Sequence, residues 1–281
     1  MANNRRRVIV LGDTRKENVS AALDRAVPIL EDTVEVVAAD LNDSTDLESL
    51  TADLAFVFGG DGAILKAVRR LGANCVPVCG VNLGKLGFLA TLTCDDLRAG
   101  LCPVLEGNYT VLSAMTLDCT VSRNGLDFHQ ARAVNDVVVS RGALSRIVPV
   151  DLLIDRQKVT TYNGDGLIVS TPLGSTAHSL SAGGPIIEPC VEAMILTPIC
   201  PHTLSNRPLV ISADKLVQLR IGAGPEGSAL TVDGQVYQPL QKGDEVTIRR
   251  SEKPFRLIRV SGHDYFRTLR DKLGWSGHLG T

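Results

Sequence analysis

The residues of this 281-residue chain best suited to chemistry are Gly59-Gly60-Asp61-Gly62. Glycines let main-chain N–H groups come close to a ligand, and a helix beginning there adds partial positive charge that suits phosphate. An acid held in that turn can act on a hydroxyl lying beside the phosphate. The same four residues also suit a plain strand-to-helix turn in which Asp61 only caps the helix. A second set is the pair Asn135-Asp136, set between Ala133-Val134 and Val137-Val138-Val139. A buried amide and carboxylate are costly unless something hydrogen-bonds to them. The third set runs from Gly164-Asp165-Gly166 through Ser175-Thr176-Ala177-His178-Ser179-Leu180-Ser181 to Pro185. Ser175 fits an N-cap, and the small hydroxyl residues leave room for a flat ligand or for a closely packed helix.

Other chemistries find little support. The five histidines show neither an HExxH nor a Cys/His zinc spacing, so no metal ligands are assigned to the chain. Ser175 lacks a GxSxG elbow. A formal charge of −2, with 44% hydrophobic and 21% charged residues, gives no general basic field for nucleic acid or an anionic membrane. No apolar stretch reaches the length of a membrane span, and the run after Arg5-Arg6-Arg7 is too short for a signal-peptide core. Seven cysteines without a CxxC pair read as reduced thiols of a cytoplasmic protein.

The elements that must position these residues change character along the chain. Strands are expected at Arg7 to Leu11, Val34 to Ala39, Leu54 to Phe58 and Val76 to Val81. Helices are expected from Glu17 to Ala26, ending at Pro28, after Gly62, and from Asp95 to Leu105. This alternation predicts a doubly wound, Rossmann-like α/β domain over 1–107, with Asp61 at the carboxyl end of a strand, where such sheets bind ligands. From Thr110 onward short β runs follow one another without helices, among them Thr110 to Val121, Arg132 to Ser140, Val148 to Ile154 and Gln157 to Tyr162. An all-β, sandwich-like domain over 108–260 is expected. The tail 261–281 carries Phe266, Leu269 and Leu273 at helical spacing and reads as a helix packing back on the N-terminal domain.

Taken together, these residues resemble the NAD kinase family. The resemblance runs through Gly59 to Gly62, Gly80-Val81-Asn82-Leu83-Gly84, Leu86-Gly87-Phe88-Leu89, Asn135-Asp136 and Asp165 to Pro185. It continues through Thr197 to Leu204, Arg207 to Val210, Asp233-Gly234-Gln235 and Phe266-Arg267. It implies phosphoryl transfer from ATP, with Mg²⁺ or another divalent cation, to the adenosine ribose 2′-hydroxyl of NAD, giving NADP. By the same resemblance Asp61 is the proton acceptor, Gly62 joins the nucleotide site, and Gly59, Gly60 and Gly62 form the phosphate loop. Asn135 would recognise adenine, an amide being able to pair with both the amine and N7 of that base. Asp136 stands where the family has glutamate and would reach toward the ribose. Lys66 and Arg146 match basic positions near phosphates. Asp165, grouped with Asn163, matches a carboxylate near the nicotinamide end. Thr176, Ala177, His178, Ser179, Leu180 and Ser181 would embrace the adenosine, and Gln235 would make a further NAD contact. His178 and Leu173 replace the family's tyrosine and threonine. The resemblance also implies a homodimer or homotetramer with the site shared between subunits, and an interdomain cleft for the adenosine. Two rival readings are a lipid or sugar kinase using the same turn and a non-catalytic NAD-binding regulator.

Overall fold

The computed structural model describes residues 5–84, 87–93, 97–141, 148–203, 205–222, 227–260, 262 and 264–275. In chain order the elements are β1 (Arg7–Gly12), α1 (Glu17–Thr33), β2 (Glu35–Asp40), β3 (Leu54–Phe58), α2 (Asp61–Leu71), β4 (Val78–Asn82), β5 (Leu92–Thr93), α3 (Leu97–Glu106) and β6 (Tyr109–Ala114). They continue with β7 (Leu117–Arg123), β8 (Leu126–Ala133), β9 (Asp136–Ser140), β10 (Val148–Ile154), β11 (Gln157–Gly164), β12 (Gly166–Ser170), a short turn of helix α4 (His178–Ser181), β13 (Ala193–Ile199) and β14 (Leu209–Ser212). The last are β15 (Val217–Ile221), β16 (Ala229–Val232), β17 (Val236–Pro239), β18 (Glu245–Arg250), β19 (Phe255–Val260) and α5 (Tyr265–Leu273). The chain divides into two compact units, Met1–Ser113 with Phe255–Thr281, and Ala114–Pro254.

The first unit is built on a sheet of strand order β2-β1-β3-β4-β19-β6, with β5 paired to β4. The β1–β2, β1–β3, β3–β4, β4–β5 and β4–β19 pairs are parallel. One face carries Val8, Val10, Phe56, Phe58, Cys79 and Val81, which share a core with Leu23 and Leu30 of α1 and Leu101 of α3. The alternate residues face the other way, where Ile64 of α2 lies against Gly80. Helices therefore cover both faces, as a doubly wound sheet requires. The order reverses between β1 and β3, so the loops after these two strands flank the switch point.

Several boundaries differ from the sequence expectation. Helix α1 runs on to Thr33 with Pro28 inside it. The proline removes one helical hydrogen bond, and the full burial of Ala26 and Leu30 on either side offsets that loss. The Val34 N–H caps this helix on Leu30, so β2 begins one residue later, at Glu35. Phe255–Val260, expected in the β domain, is instead β19 of the first unit, paired in parallel to β4. The return of the chain therefore starts at Phe255, ahead of α5. That helix is capped by Asp264 and buries Leu269, while Phe266, expected on its packed face, is more than half exposed.

The second unit pairs two sheets, ordered β11-β10-β15-β18-β7-β8 and β14-β13-β12-β9-β16-β17 among the described residues. Leu117, Leu152, Leu219 and Ile248 of the first sheet and Val139, Leu167, Leu196 and Leu230 of the second share one core. This is a β-sandwich. The apparently continuous runs Thr110 to Val121 and Arg132 to Ser140 are each cut in two. Tyr109–Ala114 and Leu117–Arg123 belong to different sheets, and the chain crosses from β8 to β9 at Val134-Asn135.

One ion pair anchors this unit. Asp244 is fully buried, and Arg123 approaches it through Nε and Nη2 at 2.8 and 2.9 Å while the Gln241 N–H donates at 2.7 Å. Burial alone would raise the Asp244 carboxyl, and these donors hold it below the ordinary carboxylate range. Replacing Arg123 by Met is expected to lower the urea unfolding midpoint, because the buried carboxylate is left without its cation. An unchanged midpoint would contradict this.

Candidate active site

Strand β3 delivers the chain to Gly59, whose φ of +155° and close approach to Ala63 suit a residue without a side chain. Gly60 is the N-cap of α2 and Asp61 its first residue. Asp61 does not serve as the cap. Its Oδ2 accepts the Phe88 N–H at 2.9 Å and its Oδ1 the Leu89 N–H at 3.1 Å, both from the segment after β4. An ionised carboxylate offers about four acceptor sites, so two remain for a substrate proton. A Cβ on Gly87 would lie 2.0 Å from Asp61 Oδ1, so this glycine leaves the space in which the carboxylate sits. Gly62 is exposed at the head of the helix.

Lys66 points elsewhere. Five residues along an α-helix turn it about 140° from Asp61, and its ammonium pairs with Asp43. Arg70 lies 3.3 Å from Asp43 and 2.5 Å from buried Asp40, and Arg15 lies 3.7 Å from Asp43. Together with Gly12, Asp13, Lys16 and Gly62, Lys66 and Arg70 line a cleft of about 180 Å³ at the switch point. The basic position implied near phosphates is thus engaged by an acid four residues before Leu47, a long-range pairing that local pattern does not reveal. Arg146 lies outside the described residues.

In the second unit the remaining residues form two groups. At one end of the β9–β12–β16 sheet lie Asn135, just before β9, and Asp136, its first residue, the segment after β12 that holds Thr176 to Ser181, and Gln235, which follows β16. The Asn135 carbonyl accepts the Thr171 N–H at 2.9 Å and the Ser170 hydroxyl at 3.1 Å. Its side-chain Oδ1 is buried without a hydrogen-bond partner. Buried acceptors of this kind are rare and call for a donor from outside the fold. Ser175 is not a cap: its hydroxyl donates to the Pro172 carbonyl at 2.6 Å and accepts the Ile187 N–H at 3.0 Å. Ser179 is buried on Thr197 at 2.8 Å and holds the segment in place, whereas His178, Ser181 and Gln235 are exposed and Thr176, Ala177 and Leu180 half-buried. Leu173 is buried.

Asp136 is 4% exposed, and burial, followed by the negative charge of Asp233, pushes its carboxyl up to about 7. The unfolded carboxyl loses its proton near pH 4. Between about pH 4 and 7 the folded chain therefore holds a proton that the unfolded chain has released, and stability falls as pH rises through that window. Asp136→Asn removes the titration. Its unfolding free energy is expected to exceed that of the parent increasingly from pH 4 to 7, by at most about 4 kcal/mol at pH 8. Parallel pH profiles for the two proteins would contradict the assignment.

Asn163 and Asp165 sit at the opposite end of β12, five strand residues or roughly 15 Å from Ser170. Asp165 is held by Arg141 at 2.8 Å and 3.2 Å, and the Arg141 N–H donates to its carbonyl at 2.9 Å. Asn163 is exposed, its carbonyl accepting the His202 N–H at 2.9 Å. Asp165, expected near the nicotinamide end, and Asn163 thus lie apart from the group of Asn135 and Thr176. Arg141 and Asp43 were not singled out in the sequence, and Asp233 entered only through the stretch Asp233-Gly234-Gln235; each acts through a partner distant along the chain. A larger cleft of about 500 Å³ near Asp118, Gln130, Arg249 and Lys253 contains none of the expected residues.

Comparison with known proteins agrees with this arrangement. The model of the ATP-NAD kinase N-terminal domain matches residues 3–109 and that of the ATP-NAD kinase C-terminal domain matches residues 134–260. The NAD kinase of Rhodopirellula baltica is 41% identical over 273 residues, covering 97% of this chain and 88% of that protein. The NAD kinase of Geobacter metallireducens is 47% identical over 224 residues, covering 80% and 79%. Among solved structures, yeast NADH kinase complexed with NADH superimposes with a TM-score of 0.90 at 26% identity, covering 100% of this chain and 91% of that one. An NAD kinase from Archaeoglobus fulgidus in complex with ATP gives 0.75 at 28% identity, covering 96% and 100%. With both halves matched and relatives above 40% identity along most of its length, the chain belongs to the NAD kinase family.

Proposed function

We propose that the protein transfers the terminal phosphoryl group of ATP to the adenosine ribose 2′-hydroxyl of NAD, producing NADP. The observation that carries this reading is the Asp61 carboxylate, fixed by the Phe88 and Leu89 N–H groups at the carboxyl end of a parallel strand, in a chain of the NAD kinase family. Phosphoryl transfer proceeds through a loose transition state, so the protein's part is positioning and charge stabilisation. Asp61 orients the hydroxyl and accepts its proton as the bond to phosphorus forms. The exposed N-terminus of α2, with Gly60 and Gly62, receives phosphate oxygens. Adenine is assigned to Asn135, whose unpartnered Oδ1 suits the exocyclic amine while the amide NH₂ suits N7.

Among the described residues no cluster of three acidic, His or Cys side chains could hold a metal ion. A divalent cation is proposed to arrive with ATP, where it would neutralise the phosphate charge. Asp165 and Asn163 are assigned to the nucleotide held by a neighbouring copy in a homodimer or homotetramer, a reading supported by their place at the far end of β12. A cytoplasmic setting belongs to the same proposal and is supported by the thiols of Cys75, Cys79, Cys102, Cys119 and Cys200, which form no disulfide.

The test is a coupled assay: protein, NAD, ATP and Mg²⁺, followed by a dehydrogenase that uses only NADP. Steady NADP formation is expected. Binding of NAD without NADP formation would overturn the reading in favour of a non-catalytic regulator.

A further inference from the structure

Where the chain passes from one sheet to the other, Val134, Asn135 and Asp136 present three consecutive N–H groups. All three donate to one side chain. Asp233 Oδ2 accepts the Val134 N–H at 2.9 Å, and its Oδ1 accepts those of Asn135 at 2.7 Å and Asp136 at 3.0 Å. The Asp233 N–H closes the ring by donating to the Asp136 carbonyl at 3.0 Å. Asp233 takes a left-handed φ of 51°, a conformation that aspartate tolerates better than most residues, and Gly234 follows at 64°. The backbone of Asn135 is thereby held on both sides, by Asp233 at its N–H and by Thr171 and Ser170 at its carbonyl. What stays open is its side-chain Oδ1.

We propose that Asp233 is a positioning residue for adenine recognition: by gathering the three N–H groups it fixes the direction in which the Asn135 amide is presented. The proposal rests on the assignment of adenine to Asn135. A buried N–H left without an acceptor is unfavourable, and charged acceptors make the stronger hydrogen bonds. Removing the carboxylate therefore releases the Asn135 backbone instead of deleting a ligand contact. Asp233 touches neither the donor nor the reacting hydroxyl in this account, so its effect falls on NAD and not on ATP.

The experiment compares Asp233→Ala, Asp233→Asn and Asn135→Ala by steady-state kinetics with NAD and MgATP varied in turn. Asp233→Ala is expected to raise KM for NAD about tenfold or more, with KM for ATP and kcat changed less than about threefold. Asp233→Asn keeps a carbonyl oxygen for the Asn135 and Asp136 N–H groups and is expected to recover most of that loss. If Asp233→Ala does not fold, a rise in KM for NAD of about threefold in Asp233→Asn, with KM for ATP unchanged, is the expected result. A raised KM for NAD in Asn135→Ala beside unchanged values in both Asp233 variants would overturn the proposal and leave the adenine assignment standing. An unchanged KM for NAD in Asn135→Ala would remove the adenine assignment itself, and the proposal with it.

Discussion

Asp61→Asn is expected to lower NADP formation by about a hundred- to ten-thousandfold while NAD still binds with an affinity near that of the parent. The range is what a positioned general base contributes. Asparagine keeps the shape of the side chain and one carbonyl oxygen for the Phe88 or Leu89 N–H, so the turn between β3 and α2 is preserved. What is lost is the capacity to take a proton and the negative charge that orients the hydroxyl. Turnover at saturating substrate and calorimetric titration with NAD measure the two effects on one sample. Turnover within a fewfold of the parent would remove Asp61 from the reaction.

Gly87→Ala tests the same carboxylate from the other side. The new methyl group would lie 2.0 Å from Asp61 Oδ1 and 2.5 Å from its Cγ, so the side chain must leave its two N–H donors. Displacement of a reacting group by about 1 Å can cost on the order of a hundredfold. The variant is expected to lose about tenfold or more in kcat. The conflict is with a side chain at the surface end of a helix, not with the sheet core, so the melting temperature should change little. A large fall in melting temperature with unaltered kcat per folded molecule would show that Gly87 serves the fold alone.

The segment from Leu54 to Leu71 was legible because its signals are local. A run of five apolar residues, three glycines and a helical spacing of Ile64, Leu65, Val68 and Leu71 are all present within eighteen residues, and each is met in the structure. The break at Val134-Asn135 was not legible. Apolar residues on both sides suit either sheet, and only the pairing of Ala133 with Leu117 and of Val137 with Val169 shows that the chain has changed sheets there. Pro28 misled for a related reason: the local cost of a proline in a helix was outweighed by burial that depends on β1 and β3.

The polar residues divide the same way. Asp61 was found through its glycines. Its partners, the N–H groups of Phe88 and Leu89, were not, because main-chain donors have no signature in sequence. Asp233 was noted only within the stretch Asp233-Gly234-Gln235, yet its carboxylate serves residues almost a hundred positions earlier. Lys66 and Asp165 were read as ligand contacts from residue type and resemblance. In the structure they are paired with Asp43 and Arg141, so a phosphate or a nucleotide must compete with those partners.

The chemistry itself is tested most directly by phosphorus NMR of the product formed from NAD and MgATP. The account predicts one new phosphomonoester signal, on the 2′ position of the adenosine ribose, growing in step with ADP and absent in the Asp61→Asn reaction over the same time. A phosphomonoester on another hydroxyl, or ADP formed with inorganic phosphate and no phosphorylated NAD, would contradict it.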